Sequence, residues 1–154
     1  GIHVACMARW PGKLPQGLVD DRPMMTFDLT ASILAAANLR PPADRPLDGI
    51  DVLGQIAAGR PPEPRTLYWR SRRAERTWKA VRDGNLKYVS FDDAGEFGEW
   101  LYDLSRDPGE KSNLLDARPN DAARLKQLLT AWEQEVQPAR KRPDGWKRPE
   151  EQKK

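Results

Sequence analysis

Thr77–Arg82 (TWKAVR), Asp83-Gly84-Asn85 and Leu86–Phe91 (LKYVSF) decide the fold. Trp78 and Ala80 alternate with Lys79 and Val81, and Leu86 and Tyr88 alternate with Lys87 and Val89. That is the period of two of a half-buried strand. Asp-Gly between two such runs suits a tight antiparallel turn, whose backbone must enter the left-handed region. On one side, Thr66–Ser71 (TLYWRS) has strand composition. On the other, Glu96–Leu104 (EFGEWLYDL) supplies a further strand. The expectation is about four short strands, antiparallel and consecutive.

A long helix is expected over Asn120–Val136, where Leu125, Leu128, Leu129, Trp132 and Val136 form an apolar stripe. Pro119 precedes it and Pro138 stops it, and the stripe is expected to cover one face of the sheet. Upstream, Thr26–Leu39 reads as a helix capped by Thr26 or Asp28, with Leu29, Ile33, Ala36 and Ala37 on its apolar side. A shorter helix is expected at Val52–Ala58, stopped by Gly59. The stiff segment 60–65 (RPPEPR) marks the main boundary. Ile2–Arg9 (IHVACMAR), ending at Trp10-Pro11-Gly12, reads as a strand buried on both faces. Such a strand needs neighbouring strands and covering helices. The fold class is therefore α+β: a small antiparallel sheet of about four strands under a long C-terminal helix, preceded by one strand and one helix.

Composition narrows the chemistry. The 154 residues are 38% hydrophobic and 32% charged, with 14 prolines, so many loops and breaks are expected. One cysteine (Cys6) allows no internal disulfide and no cysteine-based zinc site, and one histidine (His3) allows no histidine cluster. No apolar run approaches the roughly 18 residues of a membrane span, so no membrane partner is expected. No signal peptide is read at the start. The formal net charge of +3 is unevenly placed. Residues 137–154, read as a disordered basic tail, carry seven basic residues against three acidic ones. The remainder is close to neutral, so no nucleic-acid partner is expected.

No G-x-S-x-G, Walker A, G-x-G-x-x-G or H-E-x-x-H motif occurs. Asp20-Asp21 and Asp92-Asp93 read as solvated loop acids, because neighbouring side chains in an extended segment point to opposite faces. Cys6 reads as a buried small hydrophobe rather than a nucleophile, and His3 as a structural histidine. Trp69, Trp78, Trp100 and Trp132 read as core packing, with a sugar-stacking surface as the sharper alternative. Arg70, Arg72, Arg73, Arg76 and Arg82 gather beside these aromatics and could hold sulfate, phosphate or carboxylate. Their plainer reading is a solvated sheet face.

Five segments in order resemble the C-terminal part of the arylsulfatase-type sulfatases of the alkaline phosphatase superfamily. Residues 8–13 (ARWPGK) look like that family's strand ending in a Trp-Pro-Gly turn. Residues 28–34 (DLTASIL), followed by Ala36-Ala37, look like its DL-x-P-T-x-L helix, and 48–53 (DGIDVL) like its DG-x-S-L segment. Residues 79–88 (KAVRDGNLKY) resemble its AVR-x-G-x-WKL hairpin. Leu101-Tyr102-Asp103-Leu104, Asp107-Pro108-Gly109-Glu110 and Asn113-Leu114 match LYDL-x-x-DP-x-E-x-x-NL, the most specific of the five. The resemblance spans about residues 1–136.

The resemblance implies a division into 1–60 (the last strand and helix of the large sulfatase domain, plus linker), 61–136 (the C-terminal subdomain) and the tail, 137–154. For the whole family it implies sulfuric ester hydrolysis by a formylglycine made within C/S-x-P-x-R, assisted by a divalent cation, usually calcium. No C/S-x-P-x-R occurs here, and Cys6-Met7-Ala8-Arg9 lacks both its spacing and its proline. Where the family usually has G-x-R-x-P this chain reads Gly1-Ile2-His3-Val4-Ala5. No catalytic, metal or cofactor residue is therefore assigned within the chain, and the substrate-binding residues stay open. The expectation is a sulfatase fragment, inactive by itself and structural, whose partner is a missing N-terminal catalytic domain. The Arg and Trp residues around Thr66–Arg82 are the only contacts expected with a sulfated substrate. Self-association is expected where apolar faces lack that partner. Two alternatives stay open: a stand-alone module binding an anionic ligand such as a sulfated glycan, and the tail of a related phosphoester or phosphonate hydrolase. Family members are commonly exported, but the chain carries no legible cellular address.

Overall fold

The structure, a computed structural model, describes residues 4–136. The chain divides into two units, one reaching Glu63 and one starting at Pro64. The expected tail 137–154 and His3 lie outside the described residues.

The second unit holds the sheet. Strands β1 (Thr66–Arg73), β2 (Arg76–Asp83), β3 (Leu86–Asp93) and β4 (Glu96–Asp103) pair antiparallel in the order β1-β2-β3-β4. Each strand has eight residues, and each turn between strands has two. At the β2–β3 turn only Gly84 has positive φ (59°), as a turn with glycine at its first central position requires. The other two turns place alanine in the left-handed region: Ala74 at φ 51° and Ala94 at φ 52°, the latter followed by Gly95 at φ 102°.

Pairing sets two faces. Tyr68, Val81, Tyr88 and Leu101 stand in one cross-strand row, beneath the 17-residue helix of this unit, Pro119–Glu135. Val81, Leu86, Tyr88 and Leu101 pack there with Ala122, Leu125 and Leu129, flanked by Leu128 and Trp132. Pro119 opens the helix at its first turn, where a missing N–H costs nothing. Trp132 stacks on Tyr68 with ring centroids 5.1 Å apart and planes 4° apart. Glu133 reaches the sheet, bonding Lys79 at 2.9 Å and lying 3.8 Å from Arg70. At the other end Arg118 joins Asp121 at 2.7 Å and Asp103 at 3.4 Å. The expected stripe is thus the one that seals the core.

The first unit carries two helices, α1 (Thr26–Ala36) and α2 (Val52–Ala57); the helix on the sheet is α3. Here the structure departs from the sequence reading in four places. Val4–Arg9 forms no strand and is exposed; no described strand pairs with it. Cys6 is exposed rather than buried. The expected apolar side of α1 faces out, with Ile33 63% exposed, while Asp28, Ala31 and Ser32 are buried. Finally, α1 is capped by neither Thr26 nor Asp28 as N-cap; Met25 occupies that position.

The reason for the reversed α1 is polar. Asp28 accepts the Met25 N–H at 2.6 Å and the Ile50 N–H at 3.0 Å, and Ser32 Oγ accepts the Leu53 N–H at 3.2 Å. Two buried polar side chains thereby satisfy backbone donors at the entrance to both helices, which offsets their burial. Gly49 completes the clamp: a Cβ there would stand 2.4 Å from the Phe27 carbonyl oxygen. Asp51 caps α2 by accepting the Gly54 N–H at 2.8 Å, and Gly59 (φ 63°) ends it as expected.

Candidate functional site

The motif around β4 closes the loop by which the chain leaves the sheet. After β4 the chain turns at Asp103, whose carboxylate accepts the Ser105 hydroxyl (2.6 Å) and N–H (3.1 Å). Those bonds, with Arg106 and Arg118 nearby, hold Asp103 below the usual carboxylate range. Asp107 Oδ2 accepts the Lys111 and Ser112 N–H groups at 2.7 and 2.8 Å. Glu110, at φ 54°, sets both carboxylate oxygens on Lys87 Nζ, at 2.6 and 2.8 Å. Asn113 Oδ1 accepts the Leu101 and Leu115 N–H groups at 3.0 and 3.1 Å. Asp103, Asp107, Glu110 and Asn113 are all spent on closing the loop between β4 and α3.

Under α3, Glu99 accepts hydrogen bonds from the Tyr88 hydroxyl and from Lys126. Burial alone would raise Glu99, but those two donors outweigh it and hold it low. Burial and the facing carboxylate push Tyr88 far above the ordinary phenol range. Arg124 (2.6 Å) and Thr66 (2.9 Å) hold Asp83 low in the same way. These are cross-element ties at the rim of a packed core.

The opposite face of the sheet is different. Trp69, Ala80, Val89 and Trp100 form one cross-strand row, and Ser71, Trp78, Phe91 and Gly98 form the next. Trp78 lies 4.4 Å from Phe91 and 6.0 Å from Trp100, ring centroid to centroid. Gly98 is what permits this: its absent Cβ would stand 2.4 Å from the far end of the Trp100 indole. Trp78 remains 43% exposed. At the turn end, Ser71, Arg73, Arg76 and Trp78 line a hollow of about 280 Å³. Arg76 bonds Asp93 at 2.6 Å and lies 5.8 Å over the Phe91 ring.

The sequence-singled residues therefore scatter. Of the four tryptophans expected in the core, only Trp132 packs against the sealed core; Trp69, Trp78 and Trp100 lie on the other face. Of the five arginines, Arg73 and Arg76 meet at the hollow, Arg70 lies 5.5 Å over Trp132, Arg72 donates to the Ala74 carbonyl and Arg82 to the Gly84 carbonyl. Asp20 is tied to Arg22 at 2.8 Å, and Asp93 to Arg76. Among the described residues, no three His, Cys, Asp or Glu side chains gather as metal ligands.

No family model matches the chain. It is 29% identical over 161 aligned residues to the N-acetylgalactosamine-6-sulfatase of Sus scrofa, covering 88% of this chain and 31% of that protein. It is 27% identical to an uncharacterised sulfatase of Schizosaccharomyces pombe, covering 86% of this chain and 24% of that protein. The chain is a relative of the sulfatases. Among solved structures, this sulfatase relative superposes on Ps i-CgsB with a TM-score of 0.70 over 83% of its length, at 19% identity and 28% of that chain. It superposes on BT1596, a 2-O GAG sulfatase, with a TM-score of 0.54 at 25% identity, over 70% of its own length and 24% of that chain. It spans about a third or less of the relatives named here, which fits the C-terminal sulfatase region that the five motifs indicate.

Proposed function

We propose that this chain serves as the C-terminal subdomain of a sulfuric ester hydrolase, structural in role and without turnover by itself. The observation that carries this reading is the loop from Asp103 to Asn113. Four polar residues on which the family resemblance rests, Asp103, Asp107, Glu110 and Asn113, are engaged there in hydrogen bonds that hold the loop to the sheet or to itself. The partial coverage of the sulfatase relatives supports the same reading. So does the first unit, where Val4, Met7, Val19, Ile33 and Leu39 are all more than half exposed. In this reading the catalytic part of a sulfatase covers those side chains, and the isolated chain self-associates through them instead.

The test is p-nitrophenyl sulfate hydrolysis with calcium present. The isolated chain is expected to stay at background. Turnover that survives fresh repurification, and is lost on substituting a residue of this chain, would overturn the proposal.

A further inference from the structure

The chain holds three Asp-Gly pairs: Asp48-Gly49, Asp83-Gly84 and Asp144-Gly145, the last outside the described residues. Such a pair is where a backbone rearranges most readily, because glycine has no side chain to hinder its nitrogen. We propose that Asp48-Gly49 is a modification site of this chain: it rearranges to isoaspartate in the folded state, and the rearrangement opens the joint between α1 and α2. The chemistry needs no catalyst and is independent of the reaction the chain serves.

The Gly49 nitrogen attacks Cγ of a protonated Asp48 carboxyl. The N–Cγ bond forms, one water leaves and a succinimide ring closes. Water then adds to either ring carbonyl. Opening at Cγ restores aspartate. Opening at the main-chain carbonyl breaks the original peptide bond and leaves the chain running through the side chain, one carbon longer. No atom is gained or lost overall. Asp48 is exposed, and among the described residues its carboxylate has no hydrogen-bond or ion-pair partner and the Gly49 N–H no acceptor. Asp83 is the contrast within the same chain. Arg124 holds its carboxylate at 2.6 Å and Thr66 at 2.9 Å, and its backbone is paired with Leu86. Those contacts keep Asp83 ionised, and a carboxylate is a poor electrophile.

Gly49 also decides what the product does. Its main chain lies flat on the first turn of α1: an added Cβ would stand 2.4 Å from the Phe27 carbonyl oxygen and 3.0 Å from Asp28 Cα. The next residue, Ile50, gives its N–H to Asp28 at 3.0 Å, and Asp28 is fully buried. One extra main-chain carbon between Asp48 and Gly49 has no room there, so Ile50 moves off Asp28. Taking a donor from a buried carboxylate is costly. The same shift draws Leu53 from Ser32, the second bond between the two helices. The exposed residue that reacts thus sits two positions from the bond its reaction breaks.

The experiment keeps the full chain folded at neutral pH in heavy-oxygen water for several weeks, then maps its peptides by mass spectrometry. Each passage through the ring leaves one labelled oxygen, and fragmentation tells isoaspartate from aspartate. Isoaspartate is expected at Asp48 roughly ten-fold faster than at Asp83, since freeing the Asp83 carboxyl costs two hydrogen bonds. Asp48→Glu should abolish the reaction there, because glutamate must close a larger, slower ring. Arg124→Ala with Thr66→Val should raise the Asp83 rate several-fold. In the isoaspartyl form, separated by chromatography, the Ile50 and Leu53 amides should lose protection from hydrogen exchange while those of β3 keep theirs. Equal rates at Asp48 and Asp83 would mean that the reaction runs through unfolded molecules, and would overturn the proposal. So would an Asp48 that stays unlabelled, or an isoaspartyl form whose Ile50 amide remains protected.

Discussion

Glu110 clasps Lys87 with both carboxylate oxygens, across 23 residues of sequence, and it does so from a left-handed backbone conformation. Lys87 is 8% exposed, so its ammonium has almost no water to fall back on. The pair welds the loop after β4 to the start of β3. Removing Glu110 leaves a buried cation alone, which costs more than the pair itself contributes.

Glu110→Ala is therefore expected to destabilise the chain by about 1–3 kcal/mol, less than for a fully buried pair because Glu110 is about a third exposed. Adding Lys87→Met in the same chain should recover much of the loss. Urea unfolding of the single and double variants measures both. A single variant within about 0.3 kcal/mol of the parent would show that the clasp does not hold the loop.

Leu125 is fully buried at the centre of the α3 stripe, while Ile33 on α1 faces solvent. Leu125→Ala should cost about 2–5 kcal/mol, and Ile33→Ala should stay within about 0.5 kcal/mol. Thermal melts of the two variants separate a sealed stripe from an open one. Equal effects would contradict the burial pattern.

Ala94 holds φ 52° ahead of Gly95, a conformation that asparagine adopts more readily. Ala94→Asn should raise stability by about 0.5–1 kcal/mol without altering the fold. A destabilised Ala94→Asn variant would mean the turn is held by something other than its backbone.

Asp83 and Glu99 both titrate below their ordinary values in the folded chain, through Arg124 for Asp83 and through Lys126 and Tyr88 for Glu99. A carboxylate lowered by folding stabilises the chain above its unfolded pKa, about 4. That contribution is lost as pH falls through the lowered folded value. Stability is thus expected to be flat from neutral pH to about pH 5 as far as these two groups are concerned, then to decline. Asp83→Asn with Glu99→Gln should flatten the decline in urea unfolding at pH 6, 4 and 3. An unchanged slope would remove these two groups from the account.

The β2–β3 hairpin was legible because Asp83-Gly84-Asn85 states its turn chemistry and the flanking strands alternate cleanly. The flanking hairpins were harder, since Ala74 and Ala94 occupy left-handed positions that alanine does not announce. The α3 stripe was legible because leucines at helical spacing had a sheet to cover. The side of α1 was misread for the opposite reason: Asp28 and Ser32 are buried by what they bond to in 50–53, and periodicity carries no record of a distant partner. Val4–Arg9 has strand composition but no neighbour to pair with among the described residues. For the hollow, sequence named Arg73, Arg76 and Trp78 separately. Only the register shows that they share one face, and that Gly98 makes room for the indole supporting Trp78.

The sheet order β1-β2-β3-β4 also governs how the chain is made. Each strand meets its partner after a two-residue turn, so closure costs little and pairing is fast. Synthesis delivers all four strands before Leu125, Leu129 and Trp132 exist. During that interval Tyr68, Val81, Tyr88 and Leu101 form a complete apolar row with nothing over it. A ribosome stall or a premature stop between Leu104 and Leu125 would release a chain already paired yet unsealed, the form most prone to stick to its own kind.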